Sequence, residues 1–106
     1  MTRDDFGENK TSEVVDDGRW RHVLDRHPEM KEMRDDVNEA IRAPDEAFLD
    51  AQGAVHLVRK LRGGPSDFLV VVVRRGESQV RLITAYCTNQ KRKQRRYRKF
   101  KKLALS

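Results

Sequence analysis

Cysteine occurs once in these 106 residues, at Cys87. An internal disulfide is therefore impossible, and no Cys/His set has the spacing of a zinc site. Long apolar runs are missing too: the longest, residues 68–73, is far short of the roughly 18–20 residues of a membrane span. The opening Met1-Thr2-Arg3-Asp4-Asp5 is unlike a signal peptide. There is no glycine-rich phosphate loop, no paired carboxylates ending a strand, and no Ser or Cys beside an obvious base. The expectation is a soluble, reduced, cytoplasmic protein with no membrane contact, no metal and no cofactor.

What is present is charge. Charged residues make up 38% of the chain and hydrophobic ones 37%, so a single domain must concentrate its core in a few segments. The net charge of +6 hides a polarity. Residues 91–102 carry nine cations and no acid, and without them 14 Lys and Arg face 17 Asp and Glu. A mildly acidic body with a cationic tail suits a phosphate-rich partner, RNA or DNA, and equally an anionic membrane or an acidic protein.

The core is legible around residues 68–88. Residues 68–73 are apolar at consecutive positions, which predicts a strand covered on both faces. Residues 80–88 alternate, with Val80, Leu82, Thr84 and Tyr86 on one face and Arg81, Ile83, Ala85 and Cys87 on the other. Thr84 and Tyr86 are expected to look outward while Ile83 and Ala85 meet the helices. Two shorter strands precede these, at residues 47–50 and 55–61. Upstream, Asp16-Asp17-Gly18 caps a first helix whose Trp20, Val23, Leu24 and His27 fall on one face. Pro28 interrupts it, and residues 29–42 read as a second helix with Met30, Met33, Val37, Ala40 and Ile41 inward. The pattern predicts an α+β fold: two N-terminal helices on one face of a four-stranded antiparallel meander, spanning residues 16–88. Residues 1–15 read as a flexible N-terminus, and residues 89–106 as a basic tail, either helical or ordered only on binding.

Several side chains invite a functional reading. His27 lies on an apolar helix face before a proline, as a capping histidine or as a catalytic one. His22 points to another helix face and to solvent, and His56 faces away from Arg59 on its strand. Arg59 and Arg74 interrupt apolar strands, and each either reaches solvent or an acid, or holds a phosphate with its planar fork. In the tail, Lys91, Arg92, Lys93, Arg95, Arg96, Arg98 and Lys99 alternate with Tyr97 and Phe100, which suits phosphate neutralisation plus base stacking.

One series of residues is more distinctive. It runs Trp20-x-His22-x-Leu24-x-Arg26-His27-Pro28-Glu29-Met30, Ile41-Arg42-x-Pro44-Asp45, Gly53-x-Val55-His56 and Ile83-Thr84-Ala85-Tyr86-x-Thr88. This series, over about residues 19–88, resembles small phage- and mobile-element-associated proteins of the barnase–EndoU–colicin–RelE-like (BECR) nuclease superfamily. The resemblance implies two helices on a four-stranded antiparallel sheet and metal-independent cleavage of RNA, the 2′-hydroxyl attacking the adjacent phosphate. It implies catalytic roles for His27 as base or acid, Arg59 as the phosphate's cation, and Thr84 and Tyr86 as substrate-orienting hydroxyls. A toxin or phage effector of this kind is expected to meet RNA and an acidic antitoxin or inhibitor. A non-catalytic nucleic-acid-binding module is the alternative.

Overall fold

The computed structural model describes residues 15–62, 66–76 and 79–105. Of the flexible terminus expected for residues 1–15, residues 1–14 lie outside the described residues, and Val15 departs from the expectation. Val15, which follows them, is buried, and its carbonyl accepts a 2.6 Å hydrogen bond from Arg34.

Helix α1 (Asp17–Arg26) starts as its sequence demands, with Asp16 accepting from the Arg19 amide at 2.7 Å. It stops at His27, whose backbone (φ −135°, ψ 74°) leaves the α region that Pro28 disfavours. The next segment departs from expectation. Residues 29–42 do not form one helix: Pro28–Met30 makes a single 3₁₀ turn, and helix α2 (Arg34–Arg42) begins only after Met33, which has no side-chain cap. The pyrrolidine ring of Pro28 starts a tight turn, and the break lets Met30 and Met33 both enter the core, where their sulfurs lie 3.8 and 3.6 Å from Cys87 Sγ.

The sheet has five strands: β1 (Glu46–Leu49), β2 (Val55–Lys60), β3 (Phe68–Arg75), β4 (Val80–Thr88) and β5 (Lys101–Leu103). They lie in the order β4-β3-β2-β1-β5 with every neighbouring pair antiparallel. The expected four-strand meander is present, but it is not the whole sheet. The chain leaves β4 at one edge, crosses the free face as helix α3 (Gln90–Tyr97), and adds β5 at the other edge against β1. Asn89 caps α3 by accepting from the Arg92 amide, and Asp67 accepts from the Gln90 amide.

Two apolar layers result. The α1/α2 face gathers Trp20, Val23, Met30, Val37 and Ala40 against Leu69, Val71, Val73, Leu82 and Ala85. The α3 face gathers Tyr97 and Phe100 against Phe48, Val58, Val70, Val72, Ile83 and Tyr86. Strand β3 is thus covered on both sides, as its unbroken apolar run requires.

The alternation expected for β4 does not hold along its length. Val73 pairs with Leu82 and Val72 with Thr84, so Ile83 is an extra residue at a bulge. A bulge shifts the side-chain parity of everything beyond it. Leu82 and Ala85 therefore share the α1/α2 face, while Ile83, Thr84 and Tyr86 share the face that α3 covers. Thr84 and Tyr86 do not look outward; both are half-buried.

Because α3 roofs a core, the basic segment is an integral layer. We expect truncation after Thr88 to abolish cooperative unfolding and to expose a dye-binding apolar face. We expect Tyr97→Ala to cost on the order of 3 kcal/mol in denaturant melts. A melt unchanged by either alteration would mean that the segment is merely appended.

Candidate nucleic-acid interface

Each side chain of α3 has its role set by the face it occupies. Tyr97 turns inward and is 5% exposed. Its ring stacks on Phe48 (centroids 4.7 Å apart) and meets the edges of Phe100 and His56 at 4.8 and 5.3 Å. Lys93 also turns inward: its ammonium is 2.7 Å from Glu46 Oε1 and sits over the Phe68 ring at 5.0 Å. Three residues assigned to nucleic-acid binding therefore serve the fold. Tyr97 is buried and closed to a base, the half-buried Phe100 sets its ring edge against Tyr97 and His56, and the charge of Lys93 is engaged by Glu46. Burial raises the pKa of Glu46, but the hydrogen bonds and charges of Lys93 and Lys102 outweigh it and hold the carboxyl below its ordinary range.

The remaining cations of the segment are displayed. Lys91, Arg92, Arg95, Arg96, Arg98 and Lys99 are all exposed, and no acid occurs anywhere in residues 89–106. A cavity of about 390 Å³ at the end of α3 is lined by Arg95, Arg96, Arg98, Lys99 and Phe100. Arg74 lies elsewhere, at the end of β3, where its guanidinium donates to the Gln52 carbonyl at 2.9 Å.

Of the four side chains expected at a catalytic site, the fold brings two into contact. His27, at the end of α1, faces Tyr86 on the edge strand β4 with ring centroids 5.7 Å apart. Its Nδ1 is 3.6 Å from the Glu29 carboxylate, and its side chain is 32% exposed, open enough to meet a ligand. The Arg96 guanidinium covers the same Tyr86 ring at 5.8 Å. Thr84 is two residues from Tyr86 on the same face, across β3 from His56. Arg59 does not join them. It pairs with Leu69, and so points to the α1/α2 face, where its guanidinium donates to the Ala43 carbonyl beside a separate cavity of about 810 Å³.

The structure adds a linkage that the sequence pattern did not suggest, and a residue, Asp50, that it did not single out. His56 is 3% exposed, with Nε2 2.9 Å from Asp50 Oδ2 and Nδ1 2.9 Å from Tyr97 Oη. Tyr97 Oη is in turn 3.1 Å from Tyr86 Oη. The turn between β1 and β2 builds the inner end. Gly53 adopts a left-handed φ of +89°, and Asp50 Oδ1 accepts from the amides of Gln52 and Ala54. The available signal was an aspartate closing one strand of a short hairpin and a histidine one residue into the next. The hydrogen bond from His56 holds the Asp50 carboxyl below its ordinary range, with the two turn amides adding to it. Burial pushes the Tyr97 hydroxyl well above the usual tyrosine value. Burial likewise raises the Cys87 thiol, helped by the charges of Glu29 and Asp36, so this cysteine is a packing residue and a poor nucleophile.

Among the described residues, no three His, Cys, Asp or Glu side chains are grouped as a metal site needs, and no helix is long and apolar enough to cross a membrane. No protein-family model, curated protein or solved structure matches the chain.

Asp50 releases its proton more readily folded than unfolded, so its contribution to stability is full above the ordinary value of 3.8 and is lost as pH falls toward the lower folded value. Acid titration followed by circular dichroism should show part of the acid sensitivity disappearing in Asp50→Asn. An identical acid limb in that variant would rule out this carboxylate as a contributor.

Proposed function

We propose that this protein is a small endoribonuclease of toxin or phage-effector type, cleaving RNA without a metal by attack of a 2′-hydroxyl on the adjacent phosphate. The apposition of His27 and Tyr86, bordered by Arg96 of a helix whose outer face is densely cationic, carries this reading. The reaction requires a base for the hydroxyl, an acid for the leaving 5′-oxygen, and positive charge for the phosphorane. His27 exchanges the proton, with Glu29 beside it to orient the ring. Arg96 takes the part of the phosphate's cation that the resemblance assigned to Arg59, because Arg59 is on the other face of the sheet. Tyr86 orients the substrate, with Thr84 beside it. The exposed cations of α3 capture the strand by neutralising its phosphates. An acidic inhibitor would compete for those same cations.

A second reading is favoured by a specific observation: the Tyr86 hydroxyl is bonded to Tyr97, and α3 covers most of the surrounding face. On that reading the protein binds RNA along α3 without cutting it.

Incubation with single-stranded RNA in EDTA separates the two. The enzyme reading expects products with 2′,3′-cyclic phosphate ends. His27→Ala should lower the rate roughly 100-fold or more, and Arg96→Ala roughly tenfold, with unfolding curves unchanged. Absence of cleavage on several RNAs would leave the binding module. Binding itself is tested by charge removal and not by deletion, since deletion unroofs a core. Replacing Arg92, Arg95 and Arg98 by Gln should reduce the slope of log affinity against log salt by about 0.7 for each phosphate that is no longer neutralised. An unchanged slope would place the interface elsewhere.

A further inference from the structure

Asp50, His56, Tyr97 and Tyr86 form one hydrogen-bonded chain from the β1–β2 turn to the edge of β4, with successive separations of 2.9, 2.9 and 3.1 Å. The direction of donation along it follows from its inner end. Asp50 Oδ1 is occupied by the Gln52 and Ala54 amides, and Oδ2 faces His56 Nε2. An ionised carboxylate only accepts, so the imidazole carries its proton on Nε2. In the neutral ring Nδ1 is then a bare acceptor, and Tyr97 must donate to it. With its single proton committed, the Tyr97 oxygen accepts from Tyr86. The Tyr86 proton therefore points into the protein, and among the described residues no group donates to its oxygen, which belongs to a half-buried side chain of the edge strand β4.

The nearest surroundings limit what that partner is. Arg96 covers the Tyr86 ring, and the other exposed cations of α3 lie beyond it, so a bound strand would meet Tyr86 with its sugar–phosphate backbone. Phosphate oxygens only accept. Within the chain of a nucleic-acid backbone, the group that donates is the ribose 2′-hydroxyl, which DNA lacks. We propose that Tyr86 is a ribose-selecting acceptor, held in that polarity by Asp50, His56 and Tyr97, so that the α3 surface prefers RNA to DNA. This rests on the nucleic-acid reading of α3 and does not depend on cleavage. Asp50, His56 and Tyr97 act through Tyr86 and are positioning residues.

The test uses oligonucleotides of one sequence, as RNA, DNA and 2′-O-methyl RNA, in mildly alkaline buffer with strand integrity checked. The full-length protein should prefer RNA to DNA by roughly tenfold, the worth of one good hydrogen bond. Tyr86→Phe should bring that ratio near one while leaving the salt dependence unchanged, which a merely structural tyrosine would not do. Asp50→Asn reverses the chain without changing its shape. Its amide oxygen must stay on the two turn amides, so its NH₂ faces His56 Nε2, the ring proton moves to Nδ1, and Tyr86 becomes a donor. 2′-O-methyl RNA, which accepts but does not donate, should then gain on RNA by several-fold relative to the unsubstituted protein. Nitrogen-15 NMR of the His56 ring should show Nε2 protonated in the unsubstituted protein and Nδ1 in Asp50→Asn. Equal affinity for RNA and DNA, a preference that survives Tyr86→Phe, or Nδ1 protonation before substitution would each overturn the proposal while leaving α3 as a nucleic-acid surface. Failure to bind any strand would remove that surface as well.

Discussion

Tyr97 brings a hydroxyl into an apolar layer, and His56 brings an imidazole to the same place from the strand beneath. Neither group is tolerable there alone, because a buried polar atom without a partner costs on the order of 1–3 kcal/mol. They satisfy each other at 2.9 Å, and Asp50 completes the histidine from the other side. This pairing sets the register of α3 on the sheet. With Tyr97 seated between Phe48 and Phe100, Lys93 falls on Glu46, and Arg92, Arg95 and Arg96 are turned to the surface. The display of positive charge is thus a consequence of a buried hydrogen bond.

The same arrangement explains how so polar a chain supports two layers of core. Strand β3 supplies apolar side chains to both faces, which lets short helices of low hydrophobicity close each side. The bulge at Ile83 is what allows β4 to serve both layers. It keeps Val80 and Leu82 under α1 and α2, yet turns Ile83 and Tyr86 toward α3. A strict alternation would have left Leu82 and Tyr86 on one face. Tyr86 joins the His56 network because the parity changes before it.

Charge and packing are consequently distributed within a single eight-residue helix, with one face structural and the other available. That separation distinguishes this segment from a solvated tail, and it means that substitutions on the outer face probe binding while those on the inner face probe stability.

Much of the fold as far as β3 was legible because its determinants are local. The Asp16 cap, the stop at Pro28, the inward set Val23, Val37 and Ala40, and the double burial of β3 all depend on residue type at short spacing. The resemblance named His27 and Tyr86 for one site, and the exclusion of His56 from Arg59 followed from simple alternation. What tertiary structure alone decided involves partners distant in sequence. A thin stripe of Tyr97, Phe100 and Leu103 in a cationic segment is compatible with helix, strand or coil until a sheet face is offered to it. The fifth strand exists because β1 has a free edge within reach of the chain that crosses. The bulge is invisible to a period-two reading, since one extra residue only re-labels faces. The Asp50–His56–Tyr97–Tyr86 chain links a turn, a strand, a helix and an edge strand, and only their simultaneous packing makes its hydrogen bonds possible.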